Sequence, residues 1–100
     1  MELPDNAAHI LVVDDDQRIR DLLGRYLLEN GFRTTTACDA PSARNAMRGL
    51  AFDVVILDVM MPGESGLDLA RELKSVSNVP ICMLTARAEP EHRIEGLEIG

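Results

Sequence analysis

The sequence predicts an α/β fold built on a doubly wound parallel sheet. Four short aliphatic runs alternate with segments of helical periodicity, and only a few residues connect them. The first and third runs, at residues 10–13 and 54–57, are continuous rather than alternating, which is how strands covered on both faces read. Strand–helix alternation with short links favours right-handed βαβ units. The 100 residues allow one domain with a modest core.

Residues 1–8 are polar, carry Pro4, and are expected to form a loose N-terminal lead-in before a domain spanning 9–100. His9–Val13 is the first predicted strand. Ile19, Leu22, Leu23, Tyr26 and Leu27 then recur at helical spacing, and Gly31 can cap that helix. Phe32–Ala37 is β-branched and polar, as an edge strand would be. Asp39 can cap a second helix, with Pro41 in its first turn and Ala43, Ala46, Met47 and Leu50 as its buried stripe. Asp53–Leu57 predicts a third strand ending at Asp58. The turn-rich Met61–Gly66 leads to a third helix marked by Leu67, Ala70 and Leu73. Pro80–Leu84 predicts a fourth strand that delivers Thr85, and Ile94 and Leu97 mark a weak helical pattern beyond it.

Composition narrows the functional classes. Hydrophobic residues make up 46% and charged residues 27%, a globular balance. The formal net charge of −7 repels phosphate backbones and anionic lipid, so direct contact with nucleic acid or membrane is not expected. Cys38 and Cys82 lie far apart without a CxxC pattern, which favours reduced thiols. The first nine residues lack the basic and apolar regions of a secretion signal, so a cytoplasmic chain is expected.

In open α/β sheets, ligands gather at the carboxyl ends of strands. Here those ends carry Asp14 and Asp15, then Asp58, then Thr85. If the first and third strands are neighbours, their carboxylates converge and need a cation. Oxygen ligands without His or Cys point to a hard ion, Mg²⁺ before Zn²⁺. A carboxylate beside Mg²⁺ can also act as a nucleophile toward phosphoryl groups, with the Thr85 hydroxyl and loop amides as donors and the small Ala86 leaving room. Asp16, just before the first helix, is expected to be its N-cap rather than part of this cluster.

The runs VVDDD, VVILDVMMPGESG and ICMLTARA, followed by EGLEIG, resemble the receiver domain of bacterial response regulators, most closely the OmpR type. The resemblance covers about Ile10 to Gly100 and implies a flavodoxin-like, CheY-like sheet of strand order 2-1-3-4. It implies Asp58 as phosphoacceptor, Asp15 as a direct Mg²⁺ ligand, Asp14 assisting through water, and Met60 offering its backbone carbonyl. Thr85 and Ala86 would contact the phosphoryl group, with Thr85 coupling it to a shift of the following segment. The implied partners are a sensor histidine kinase and an attached DNA-binding output domain. The family pattern continues into a fifth strand bearing a lysine and a fifth helix. Lys74, on the third helix, is the one lysine of this sequence. The chain is therefore expected to lack the catalytic lysine, to be truncated before the fifth strand, and to self-associate through the exposed edge of the fourth.

Two other functions compete. A Mg²⁺-dependent phosphohydrolase with an aspartyl nucleophile would want an acid/base Asp two residues after Asp58, where Met60 stands. A receiver-like module that works without phosphorylation is made plausible by the missing lysine. An FMN binder is discarded, because three aspartates after the first strand would repel the cofactor's phosphate.

Overall fold

A computed structural model of the chain describes residues 6–59, 61 and 65–84. The elements are β1 (His9–Val13), α1 (Gln17–Glu29), β2 (Arg33–Ala37), α2 (Ala40–Gly49), β3 (Val54–Asp58), α3 (Gly66–Val76) and β4 (Ile81–Leu84). The four strands form one parallel sheet in the order β2-β1-β3-β4, as the resemblance implied. Strand order reverses at β1, so the chain winds to one side through α1 and to the other through α2.

The two faces of β1 divide the core. Leu11 and Val13 join Val55 and Leu57 of β3 under α2 and α3, where Ala43, Leu69, Ala70 and Leu73 pack against them. Ile10 and Val12 face α1 and meet Leu27, with Leu23, Phe32, Val54 and Ile56 around them. Both faces of the central strands are covered, which is why their sequences run as unbroken aliphatics.

Helix ends follow the sequence closely. Asp16 caps α1, accepting from the Arg18 backbone N–H at 2.9 Å, and Asp39 caps α2 through Ser42 N–H at 2.8 Å. Gly31 adopts φ +88°. Its N–H bonds to Leu28 O and that of Phe32 to Leu27 O, the paired closure of a Schellman turn. Phe32 therefore belongs to that turn rather than to β2.

Several expectations need correction. Leu50 is not in the buried stripe of α2; it is the C-terminal cap residue and 47% exposed. Leu22 and Tyr26 share the apolar face of α1 yet are about 60% exposed among the described residues. The helix meets the sheet along a narrow line through Leu23 and Leu27, narrower than its apolar stripe. Asp53 precedes β3, although its N–H donates to His9 O at 2.8 Å and its carboxylate accepts from the His9 N–H at 2.7 Å. Pro80 precedes β4, although its carbonyl still accepts from Val55 N–H. The lead-in is not wholly loose. Ala7 is buried, and Ala8 O accepts from Arg33 N–H at 2.8 Å. The Ile94–Leu97 pattern lies outside the described residues.

At the amino end of β1, the His9 ring packs on Phe52 at 4.6 Å between centroids, and its Nε2 lies 2.7 Å from Thr35 Oγ1. Burial and the nearby Arg33 guanidinium lower its pKa, against the opposing pull of Asp53. The folded state thus prefers neutral His9, so the unfolded chain binds the extra proton. This contribution to stability is full above about pH 6.5 and is lost as pH falls through the folded value. Thermal melts of wild type and His9→Gln between pH 5 and 8 are expected to converge toward the acid end; parallel curves would remove His9 from the pH dependence.

Candidate functional site

The carboxyl edge of the sheet gathers the acidic residues. β1 and β3 are hydrogen-bonded neighbours with Val13 opposite Leu57, so Asp14 and Asp58 leave adjacent strands at the same level. Carboxylate oxygens of Asp14, Asp15 and Asp58 lie within 4.8 Å of one another. Asp14 and Asp58 are buried and Asp15 is exposed, so the cluster is open on one side. Asp16 stands apart from it, bonded to Arg18 at the start of α1.

Local hydrogen bonds hold the cluster. The Asp14 N–H donates to Ala37 O across the β1–β2 boundary, and Asp14 Oδ1 accepts from Asp16 N–H at 2.8 Å. Arg20 Nη1 donates to the Asp14 carbonyl at 2.7 Å. Asp58 is the last residue of β3, paired with Leu84 of β4, and Val59 N–H donates to Leu84 O. The buried Met61 side chain ties the following loop to the core.

Burial is the main cause that raises the Asp14 pKa, aided by the charges of Asp15 and Asp16 and opposed by the Asp16 N–H bond and Arg20. Desolvation outweighs the repulsion between neighbouring aspartates, because Asp14 is only 6% exposed. Asp16 moves the other way, its carboxylate stabilised chiefly by the Arg18 side chain.

A buried carboxylate raised in pKa, converging with two more and with oxygen as the sole donor type, is the electrostatic setting that a hard divalent cation relieves. The residues fit Mg²⁺. Met60, Thr85 and Ala86, expected at the same site, lie outside the described residues. Lys74 is exposed on α3.

One supporting residue, Ser65, escaped sequence reasoning, and a second, Gly66, was named only as a motif position without its structural role. Ser65 caps α3 by accepting from Leu67 N–H at 3.2 Å. Gly66 lies directly on the site's backbone, its N–H bonded to Val59 O. A Cβ there would sit 2.8 Å from Val59 Cα and closer still to the Asp58 carbonyl oxygen. The only sequence signal for it was its place in the Asp58-x-x-Met-Pro-x-x-x-Gly spacing.

A parallel α/β sheet with three carboxylates converging at its carboxyl edge offers a candidate divalent-cation site at the place where such folds bind their ligands. The sequence profile described as "Response regulator receiver domain" matches residues 10–100, and the chain belongs to that family. It is 54% identical over 92 residues to protein PetR of Rhodobacter capsulatus, and 38% identical over 91 residues to the sensory transduction protein RegX3 of Mycolicibacterium smegmatis. These alignments take in 92% and 91% of this chain but only 39% and 40% of those proteins, so the chain spans about two-fifths of their length.

Among solved structures, the response regulator TrrA of Thermotoga maritima, in complex with Mg²⁺-BeF, is similar at a TM-score of 0.77 and 40% identity. That match covers 81% of this chain and 71% of the other. The receiver domain of the Francisella response regulator 1452 matches at a TM-score of 0.80 and 36% identity, over 93% of this chain and 78% of the other. Among the described residues no helix is long and apolar enough to cross a membrane.

Proposed function

We propose that this receiver domain accepts a phosphoryl group on Asp58 in a Mg²⁺-dependent reaction and thereby switches a surface read by a partner. The observation that carries the reading is the convergence of the Asp14, Asp15 and Asp58 carboxylates within 4.8 Å at the carboxyl edge of the sheet. The similarity to TrrA, solved with Mg²⁺-BeF, supports the choice of ion.

Asp14, Asp15 and Asp58 would hold Mg²⁺, joined by the Met60 backbone carbonyl. Bound there, the ion supplies neutralisation of phosphoryl charge. An Asp58 carboxylate oxygen attacks phosphorus, forming an acyl phosphate as the donor's bond to phosphorus breaks. The leaving group is the imidazole of a sensor kinase histidine, or acetate when acetyl phosphate is the donor. The Thr85 hydroxyl bonds a phosphoryl oxygen, and Ala86 leaves space for the group. The domain is thus a phosphoacceptor that assists its own transfer and dephosphorylation rather than an enzyme acting on external substrates. Its OmpR-type resemblance supports a DNA-binding output domain as the partner that reads the switch, and a cytoplasmic place.

Incubation with acetyl phosphate and Mg²⁺, followed by intact-mass measurement, tests this. Wild type is expected to gain one phosphoryl group in an acid-stable, base-labile linkage, and Asp58→Asn to gain none. Turnover of phosphate esters without an adduct would favour a hydrolase instead. A folded, Mg²⁺-binding wild type that never acquires the adduct would favour a phosphorylation-independent module.

A further inference from the structure

Opposite the sheet face occupied by α2 and α3, a groove of ≈ 430 Å³ runs between α1 and the edge strand β2. Its walls include Arg20, Asp21, Gly24 and Arg25 from the helix and Thr34 and Thr36 from the strand. Thr34 and Thr36 are two residues apart and so point to the same face of the sheet. Gly24 contributes no side chain where α1 passes Thr34; even a Cβ there would be 4.0 Å from Thr34 Cγ2.

The hydroxyl of Thr34 is the unusual feature. Its Oγ1 is buried and has no hydrogen-bond partner among the described residues. Native folds rarely leave such a group unpaired. A rotation of χ1 by about 120° carries Oγ1 to the place now held by Cγ2, on the side of Gly24 and the groove, where a ligand atom can satisfy it. Charge then selects the ligand. Two guanidiniums against one carboxylate leave a positive surplus, in a chain whose formal net charge is −7. Guanidinium groups donate but cannot accept, and among the described residues Arg20 uses one of its donors, on the Asp14 carbonyl.

We infer that the α1–β2 groove is a binding site for a small oxyanion, held by the Arg20 and Arg25 guanidiniums and the Thr34 and Thr36 hydroxyls. This does not depend on phosphorylation at Asp58. Arg20 links the two regions, since it lines the groove and its guanidinium bonds the backbone of the acidic cluster. A tetrahedral oxyanion and a carboxylate share the recognition chemistry, and the experiment separates them.

The full chain, isotope-labelled and free of Mg²⁺, is titrated with sodium sulfate and separately with sodium acetate, with ionic strength held constant by sodium chloride. Saturable shifts are expected at the Gly24, Thr34 and Thr36 amides and at the Asp14 carbonyl carbon, in at least one series. Saturation by sulfate alone identifies a tetrahedral ligand, by acetate alone a carboxylate. Arg25→Gln is expected to weaken binding about 10-fold through loss of a charge-assisted contact. Thr34→Val, which keeps shape and strand preference, is expected to weaken binding while its melting temperature holds or rises. Shifts that merely follow chloride, or affinities unchanged in both variants, would overturn the site.

Discussion

Gly66→Ala is expected to cost about 3 kcal/mol, a substantial part of the 5–15 kcal/mol that holds a typical domain together. The added Cβ would fall within 3 Å of three backbone atoms of Asp58 and Val59. Backbone cannot rotate away as a flexible side chain can, so α3 or the end of β3 must move. At about 4–8 °C per kcal/mol for a chain of this size, the melting temperature should fall by roughly 12–24 °C. The Asp58 carboxylate should also lose its register with Asp14 and Asp15. Slower phosphoryl acceptance is therefore expected even well below the melting point, because small misplacements of reacting groups are costly. Gly24→Ala is the control. Its Cβ meets only an ordinary contact in the middle of α1, and it should stabilise by about 0.5–1 kcal/mol. Calorimetry on the pair checks both signs; equal effects would mean that the close approach at Gly66 relaxes freely.

That contrast also marks what the sequence made legible. Strand and helix periods, the Asp16 and Asp39 caps and the Gly31 turn are local signals, and each was readable from a few adjacent residues. The convergence of Asp14 and Asp15 with Asp58 was readable only on the condition that β1 and β3 are neighbours, which the strand order satisfies. Gly66 was different, because nothing local distinguishes a glycine pressed on a distant carbonyl from one in a loose turn. The Arg20 bond to the Asp14 carbonyl was hidden for the same reason: it joins a helix side chain to a strand-end backbone. Leu22, Tyr26 and Leu50 failed in the opposite direction. Helical periodicity shows which face of a helix is apolar, but the width of the surface it lands on decides how much of that face is buried.

Replacing Asp14 by Asn is expected to separate stability from metal binding. Burial is the largest cause raising the Asp14 pKa, which means the folded protein without metal holds the ionised form at a cost. The sign follows from linkage. A group whose folded pKa is raised adds stability in full below its unfolded pKa, and that stability is lost as pH rises through the folded value. At neutral pH, then, Asp14 is a liability in the absence of metal, and asparagine removes the charge. The amide oxygen can still accept from Asp16 N–H, so the local turn survives. Without Mg²⁺, Asp14→Asn should therefore melt higher than wild type by several degrees, on the order of 1 kcal/mol. Its response to Mg²⁺ should be much smaller. One of three converging carboxylates has gone, and a full charge at contact distance amounts to about 4 kcal/mol at the effective dielectric near a protein surface. An affinity loss on the order of 100-fold follows after allowing for water as a replacement ligand. At a Mg²⁺ concentration roughly 100 times the wild-type Kd, wild type gains about 2.7 kcal/mol from the ion, whereas the variant gains a few tenths. Melting curves with and without Mg²⁺ should thus cross, the variant more stable without the ion and wild type more stable with it. A variant that melts lower without Mg²⁺ and keeps the full gain would make Asp14 a turn residue rather than part of the metal site.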